Sequence, residues 1–297
     1  MFKHIIVPLD GSSLAENACA VAISLARLFS AEVTLLHLLE ENPPANIHGE
    51  RHLAEREEAE EYLKDLCRRL DIEDLQLHCH VHEEAVTDVA RGIVAHEQEV
   101  APDLIVMSSH GPKRFEHLIR GSLPQQVVSF GKTPLLLVPA ATTPDRPLAL
   151  RRLLVPLDGQ TQHERTFAIA KDLALAANGT LFLLSVVVRP SELWGERATV
   201  SRYLPGSTWA LQQQAMESQQ HYLEQRLAEL KQLGLEAGAE IAYGKVAPTI
   251  ARTARKTEAD LIIMATHGKF GSEAFWANSI AARVQGKTSK AILLVPL

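Results

Sequence analysis

Short apolar runs alternate along the chain with longer segments whose apolar residues recur every three or four positions. In the first half the runs predict five buried strands, at Ile5–Leu9, Val33–Leu39, Leu75–Val81, Leu104–Met107 and Leu135–Val138. The longer segments predict helices at Ser13–Phe29, Glu50–Leu70, Val86–His96 and after Ser122. Because helices separate successive strands, we expect a parallel sheet with helices on both faces, which is a three-layer α/β/α domain of the α/β class.

The same pattern occurs a second time. The segment Phe2–Gly11 returns as Leu150–Gly159, 148 positions later, and Asp103–Met107 returns as Asp260–Met264, 157 positions later. The second copy is therefore longer, and we expect most of the insertion at 195–209. We predict two tandem domains, at 1–140 and 150–297, with the segment 140–148 as the linker.

The first helix of each copy begins in a similar way. Ser13-x-x-Glu16 returns as Thr161-x-x-Glu164, and both have the form of a capping box that starts a helix. Both copies also place Asp-Gly directly after the first strand, as Asp10-Gly11 and Asp158-Gly159. Asp-Gly is a common turn pair, so each aspartate is either a turn residue or a ligand contact at the end of a strand.

Composition narrows the classes of partner. Of 297 residues, 46% are hydrophobic, which is enough for a sizeable core. The net charge of −6 argues against binding to nucleic acid or anionic membranes, which requires a basic surface. No apolar run approaches the roughly 20 residues of a membrane span, and the N-terminal run is too short for a signal peptide. The three cysteines, Cys19, Cys67 and Cys79, suggest no disulfide framework, and we expect a cytoplasmic protein.

The segment from Asp103 to Pro139 carries the candidate chemistry. It reads as a strand, the loop Ser108-Ser109-His110-Gly111, nine residues, Gly121-Ser122, a helix and a second strand. A helix start with free backbone N–H groups favours an anion such as a phosphate. Gly121 allows close approach of a ligand to the backbone, and Ser122 can cap the helix or donate to a phosphate oxygen. The alternative is an ordinary loop glycine and helix cap.

These motifs resemble those of the universal stress protein family, in tandem form. The carriers are Val7-Pro8-Leu9-Asp10-Gly11-Ser12 and Ser108-x-x-Gly111-(nine)-Gly121-Ser122, where the ATP-binding members read G-x-x-G-(nine)-G-[ST]. The resemblance implies two five-stranded parallel sheets of order 3-2-1-4-5. It also implies an intramolecular pseudo-dimer through the fifth strands, Leu135–Val138 against Ile292–Val295, and allows further homodimerisation.

The resemblance further implies ATP or AMP as the ligand, with adenine and ribose near Asp10 and phosphates on the glycine loop. The residues expected at this site are Pro8, Leu9, Asp10, Met107, Ser108, His110, Gly111, Gly121, Ser122 and Leu123. In the second copy the pattern becomes Ala265-x-x-Gly268-(nine)-Asn278-Ser279, which lacks two of the three glycines. We expect a degenerate second site at Asp158, Gly268, Asn278 and Ser279.

The remaining motifs give weaker evidence for a functional site. Gly131-Lys132-Thr133 lacks the upstream glycine of a P-loop and precedes a strand, so we reject that interpretation. His78, His80 and His82 alternate along an edge strand and could share a zinc ion, but a solvated polar face is the simpler interpretation. His48 and His52 lie one helical turn apart and are discounted in the same way. We assign neither a metal site nor a catalytic residue.

Three functions remain open from the sequence. The first is a stress-response regulatory protein that binds adenine nucleotide. The second is a ligand-free scaffold that presents surfaces to protein partners. The third, a slow ATPase, is the weakest, because neither a Walker lysine nor a base or nucleophile can be assigned by spacing.

Overall fold

The computed structural model describes residues 1–82, 84–109, 123–140, 148–160, 163–188, 205–266 and 279–297. The first copy contains β1 (His4–Pro8), α1 (Ser13–Phe29), β2 (Glu32–His37), β3 (Asn46–Ile47), β4 (Glu50–Arg51), α2 (Arg56–Leu70), β5 (Leu77–Val81), α3 (Val89–Val100), β6 (Leu104–Ser109), α4 (Leu123–Phe130) and β7 (Leu135–Pro139). The second contains β8 (Arg152–Pro156), α5 (Glu164–Ala177), β9 (Thr180–Val187), α6 (Pro205–Gln232), β10 (Ala237–Tyr243), α7 (Val246–Lys256), β11 (Leu261–Thr266), α8 (Ile280–Gln285) and β12 (Ala291–Pro296).

The predicted α/β class is confirmed. The first compact unit has the strand order β5-β2-β1-β6-β7 with parallel neighbours, which is the expected order 3-2-1-4-5. Cys79 of β5 contacts Leu63 of α2, whereas its neighbour His80 contacts His96 of α3. Because successive side chains of a strand point to opposite faces, α2 and α3 cover opposite faces of the sheet, which makes three layers.

The second unit repeats the order β10-β9-β8-β11 with parallel neighbours. The last strand, β12, belongs to the first compact unit and pairs antiparallel with β7, where Leu293 lies opposite Leu136. The pairing that the resemblance implied between 135–138 and 292–295 is therefore present, and the boundary between the compact units does not follow chain order at the C terminus. Among the described helices, none is long and apolar enough to cross a membrane.

A repeated aspartate ties the strands together in each copy. Asp103 Oδ2 accepts hydrogen bonds from the backbone N–H groups of Lys3 (2.6 Å) and His4 (3.1 Å). Asp260 Oδ2 accepts them from Arg151 and Arg152, each at 3.0 Å. The aspartate that opens the repeated fourth-strand motif therefore connects the start of that strand to the start of the first strand.

Two predicted helix starts were wrong. The expected helix Glu50–Leu70 begins at Arg56, because Glu50 and Arg51 form β4 of a small hairpin with β3. The third helix begins at Val89 rather than Val86, because Asp88 caps it by accepting from the Arg91 N–H. In the second copy α6 begins at Pro205, so the C-terminal part of the expected 195–209 insertion belongs to a long helix; residues 195–204 lie outside the described part of the chain.

The cysteines also depart from expectation. Cys67 of α2 and Cys79 of β5 form a disulfide, because α2 packs along β5 and brings two residues that are 12 apart in sequence into contact. Cys19 is free and buried in α1, and burial raises the pKa of its thiol to about 12. The thiol of Cys19 therefore stays protonated and unreactive at neutral pH.

Candidate functional site

The ends of β1 and β6 lie side by side at one edge of the first sheet. Ile5 pairs with Leu104 and Ile6 with Ile105 in parallel register, so the residues that follow both strands emerge at the same edge. This edge is the point where the chain order of the sheet reverses, which is where ligands of such sheets bind. The predicted site residues Pro8, Leu9, Asp10, Met107 and Ser108 lie here.

Asp10 at this edge stabilises the turn that follows β1. Its Oδ1 accepts from the Ser12 N–H at 2.9 Å and from the Ser12 hydroxyl at 2.6 Å. Its other oxygen, Oδ2, lies 3.4 Å from His48 Nε2. Asp158 makes the same kind of turn in the second copy, because its Oδ1 accepts from the Gln160 N–H at 3.1 Å. A turn role is thus common to both copies, and Oδ2 of Asp10 lies outside that turn.

The start of α1 is capped differently from the sequence prediction. Ser12, not Ser13, is the N-cap: its hydroxyl oxygen accepts from the Ala15 N–H at 3.2 Å. Ser13 instead donates to Glu50, through its hydroxyl at 2.6 Å and its backbone N–H at 3.1 Å. The Ser13-x-x-Glu16 capping box was therefore wrong by one residue.

The β3–β4 hairpin covers this edge, a feature that was not predicted from the sequence. His48 approaches Asp10, Glu50 accepts from Ser13, and the Leu53 side chain packs against Gly11. The hydrogen bonds from Ser13 lower the pKa of Glu50, which therefore stays ionised beside the positive end of the α1 dipole. A ligand at Asp10 would contact this hairpin. The sequence marks this hairpin only by Gly49. In the structure, Gly49 and its neighbour His48 both adopt a positive φ.

His37 lies beneath the same edge and is fully buried. Its Nδ1 donates to the Leu9 carbonyl at 2.9 Å, and its ring centroid lies 6.4 Å from that of His52. Burial is the main cause that lowers the pKa of His37; the nearby His52 lowers it further, and Asp10 and the Leu9 carbonyl oppose the shift. The His37 ring is therefore neutral in the folded protein at neutral pH.

Replacing His37 with glutamine is expected to flatten the loss of stability in acid. Above the unfolded pKa of about 6.5, both states hold His37 neutral. Below it the unfolded chain takes up a proton that the folded chain binds only at lower pH, so stability is lost at up to about 1.4 kcal/mol per pH unit. Urea unfolding from pH 7 to pH 5 measures this slope. His221→Gln, at an exposed position of α6, is the control, and equal slopes in wild type and His37→Gln would refute the assignment.

The remaining predicted residues divide between described and undescribed parts of the chain. His110, Gly111, Gly121 and Ser122 lie outside the described residues, as do Gly268 and Asn278 of the second copy. Leu123 begins α4, as predicted, and Ser279 stands directly before α8. Ser108 is half-buried at the end of β6, where its hydroxyl donates to the Ala15 carbonyl at 3.4 Å. Ser108 thus also links the end of β6 to the first turn of α1.

The corresponding edge of the second unit is covered by a side chain of its long helix. Gln219 of α6 donates through Nε2 to the Asp158 carbonyl, and its Oε1 accepts from the Ser185 hydroxyl at 3.0 Å. The Asp158 carboxylate meets His163 Nδ1. Gln219 therefore occupies the carbonyl of Asp158, and His163 occupies its carboxylate. Neither contact was predicted from the sequence.

Comparison with known proteins agrees with the repeat. The family model described as "Universal stress protein family" matches the chain twice, at residues 1–139 and 149–296. Universal stress protein MJ0531 of Methanocaldococcus jannaschii is 28% identical over 148 residues, which cover 46% of this chain and 82% of that protein. Universal stress protein Sll1654 of Synechocystis is 29% identical over 139 residues, covering 47% and 87%.

A solved structure shares the fold along the whole chain. The crystal structure of a universal stress protein from Archaeoglobus fulgidus superposes with a TM-score of 0.68 at 15% identity, covering 99% of this chain and 96% of that one. At this level of identity the likeness establishes the fold.

Proposed function

This chain belongs to the universal stress protein family, and from that premise we propose that its first copy binds an adenine nucleotide, ATP or AMP, and serves as a regulatory protein of the stress response. The observation that carries the proposal is the position of the motif that begins at Ser108. It starts at the end of β6, beside the end of β1, and continues in sequence to Gly121-Ser122 directly before α4. A nucleotide can then contact Asp10 at one end and backbone N–H groups at the other.

The groups around Asp10 suit the sugar end of a nucleotide. Asp10 Oδ2 lies outside the Asx turn and can accept from a ribose hydroxyl, while His48 at 3.4 Å offers an adjacent polar group. Leu9 and Met107 are buried at the same edge and supply apolar surface. The hairpin over Gly11 would form one wall of the pocket.

The second copy supports the contrast between the two sites. The first glycine of the family's ATP-binding pattern is replaced in both copies, by Ser108 and by Ala265, whereas the third glycine is kept as Gly121 in the first copy and replaced by Asn278 in the second. Gln219 also donates to the Asp158 carbonyl. A side chain in place of the third glycine prevents close approach of the backbone to a phosphate. We therefore assign nucleotide binding to the first copy and treat the second site as degenerate.

Gly121→Asp is expected to abolish nucleotide binding, with an affinity loss of at least about 100-fold. A carboxylate at this position repels phosphate and removes the conformational freedom of glycine. The measurement is calorimetric titration with ATP and AMP, together with mass spectrometry of any small molecule that copurifies. Asn278→Asp, at the equivalent position 157 residues later, is the matched control and should leave the affinity unchanged.

A ligand-free scaffold is the second candidate, and one observation favours it. The turn hydrogen bonds of Asp10 and the contact of Ser13 with Glu50 satisfy part of this edge without a ligand. The scaffold predicts no copurifying nucleotide and no thermal shift with ATP or AMP in the wild-type protein. That result would overturn the nucleotide proposal.

A further inference from the structure

Three histidines from two elements of the first unit meet on one face of the sheet. His80 lies on β5 and His82 directly follows this strand. Because the two residues are two positions apart, their side chains share a face of the sheet. The chain then returns over this face as α3, which contributes His96, only 2% exposed. One possible ligand atom from each of the three residues lies within 4.8 Å of the others. Within the described residues, this is the single group of three or more potential metal ligands that comes together in this way.

The His96 ring packs against both of the other imidazole rings. The His96 ring centroid lies 5.0 Å from that of His80 and 4.7 Å from that of His82, both edge to face. Tetrahedral zinc with bonds of about 2.0–2.1 Å places its nitrogen ligands about 3.3 Å apart. Rotation of exposed His80 and half-buried His82 about their side-chain bonds can close the remaining distance. The backbone N–H of His82 donates to the His37 carbonyl at 2.9 Å, which holds the end of β5 in position.

Two neighbouring histidines, His78 and His4, contact groups outside this cluster. His78 Nε2 lies 3.2 Å from Glu32 Oε2, so the third histidine of the alternating run does not join the cluster. His4 uses both ring nitrogens, with the Val100 carbonyl at 3.0 Å and the Thr34 hydroxyl at 2.8 Å.

His80 and His96 also line a cavity of about 320 Å³, which has room for water or a small anion as a fourth ligand.

The duplicated chain shows that the cluster is specific to the first copy. In the sheet register, His80 lies opposite Leu36, and the residue opposite the equivalent Leu184 is Glu240. By the same register His82 corresponds to Ala242, and His96 corresponds to Thr253, 157 positions later. Glu240 pairs with Lys256 at 2.9 Å. The same fold is thus built in the second copy without any imidazole at these places, so the three histidines are not a requirement of the fold.

We propose that His80, His82 and His96 bind one zinc ion, with a non-protein ligand in the fourth position. Imidazole nitrogen is a preferred ligand of Zn²⁺, and three histidines with one open position form a known type of zinc site. The exposed His80 gives the ion access from solvent, and the buried His96 anchors it to α3. The site lies on the α3 face of β5 and does not depend on nucleotide binding.

The test uses the full chain without a histidine tag, stripped with a chelator and then freed of it. Titration with zinc against a competing chromophoric chelator is expected to give one ion per chain with a dissociation constant of about 1 µM or tighter. His80→Ala is the main variant, because an exposed side chain is removed at little cost to folding. Loss of one ligand should weaken zinc binding by at least about tenfold.

His78→Ala, two residues away on the same face and outside the cluster, is the matched control and should keep the wild-type affinity. Cobalt substitution adds a second readout, since the visible spectrum of tetrahedral cobalt should appear in wild type and His78→Ala and disappear in His80→Ala and His96→Gln. Absence of a one-to-one site in the wild type, or equal zinc affinity of His80→Ala and His78→Ala, would overturn the proposal.

Discussion

Replacing Phe167 with alanine is expected to lower the free energy of unfolding of the second unit by about 3–5 kcal/mol. Phe167 lies on α5, is 2% exposed and is among the largest fully buried side chains of the described residues. Its ring packs under the Arg226 guanidinium of α6, 5.1 Å from the ring centroid, and Lys171 Nζ lies 5.9 Å away. Truncation removes both the buried apolar area and a cation–π partner, and leaves a cavity.

Leu175→Ala on the same helix is the matched control for Phe167. Leu175 is 42% exposed, so its loss should cost less than about 1 kcal/mol. Because two compact units need not unfold together, the readout is hydrogen exchange of α5, β8 and β9 amides as well as guanidinium unfolding. Equal effects of the two variants would mean that Phe167 does not carry the packing between α5 and α6.

Replacing Gly11 with alanine is expected to cost about 2–4 kcal/mol and to loosen the β3–β4 hairpin. Gly11 has φ +86°, a conformation that costs an L-residue about 1–2 kcal/mol. A Cβ at this position would also lie 2.8 Å from Leu53 Cδ1 and Cγ, so the Leu53 side chain must move. Guanidinium unfolding measures the first effect, and faster amide exchange in 46–53 measures the second.

Gly49→Ala separates the two causes. Gly49 has a similar φ of +89°, but nothing lies within 4 Å of an added Cβ. Its replacement should therefore show the backbone cost alone, about 1–2 kcal/mol. If the two variants lose the same stability, Leu53 does not hold the hairpin against the Asp10 turn, and the hairpin wall of the proposed pocket loses its support.

Much of the fold was predictable from residues that are near one another in sequence. Apolar runs predicted the strands, and apolar periodicity predicted the bounds of α1 correctly, although the residue that caps it is Ser12 rather than Ser13. The repeat predicted two copies, and the resemblance supplied the strand order. The start of α2 was wrong because a charged segment that suits a helix instead forms β4, through its contacts with β3 and Ser13.

Part of the candidate site was predictable and part was not. That Asp10 and Ser108 share an edge follows from parallel strands, which direct the residues after them to the same side. The approach of His48, Glu50 and Leu53 to that edge could not be predicted, because a loop of irregular sequence has no periodicity that indicates where it packs. Gln219, 61 residues after Asp158, is a similar case in the second copy.

The amino-acid sequence by itself determined the α/β class and the duplication, because apolar periodicity is a local pattern and recurs in both copies. Tertiary structure alone decided which distant side chains meet. Tertiary packing brought Cys67 to Cys79 and His96 to His80 and His82. It placed His78 beside Glu32 instead. These contacts depend on how α2 and α3 pack on opposite faces of β5, and packing is set by the shape of the whole core.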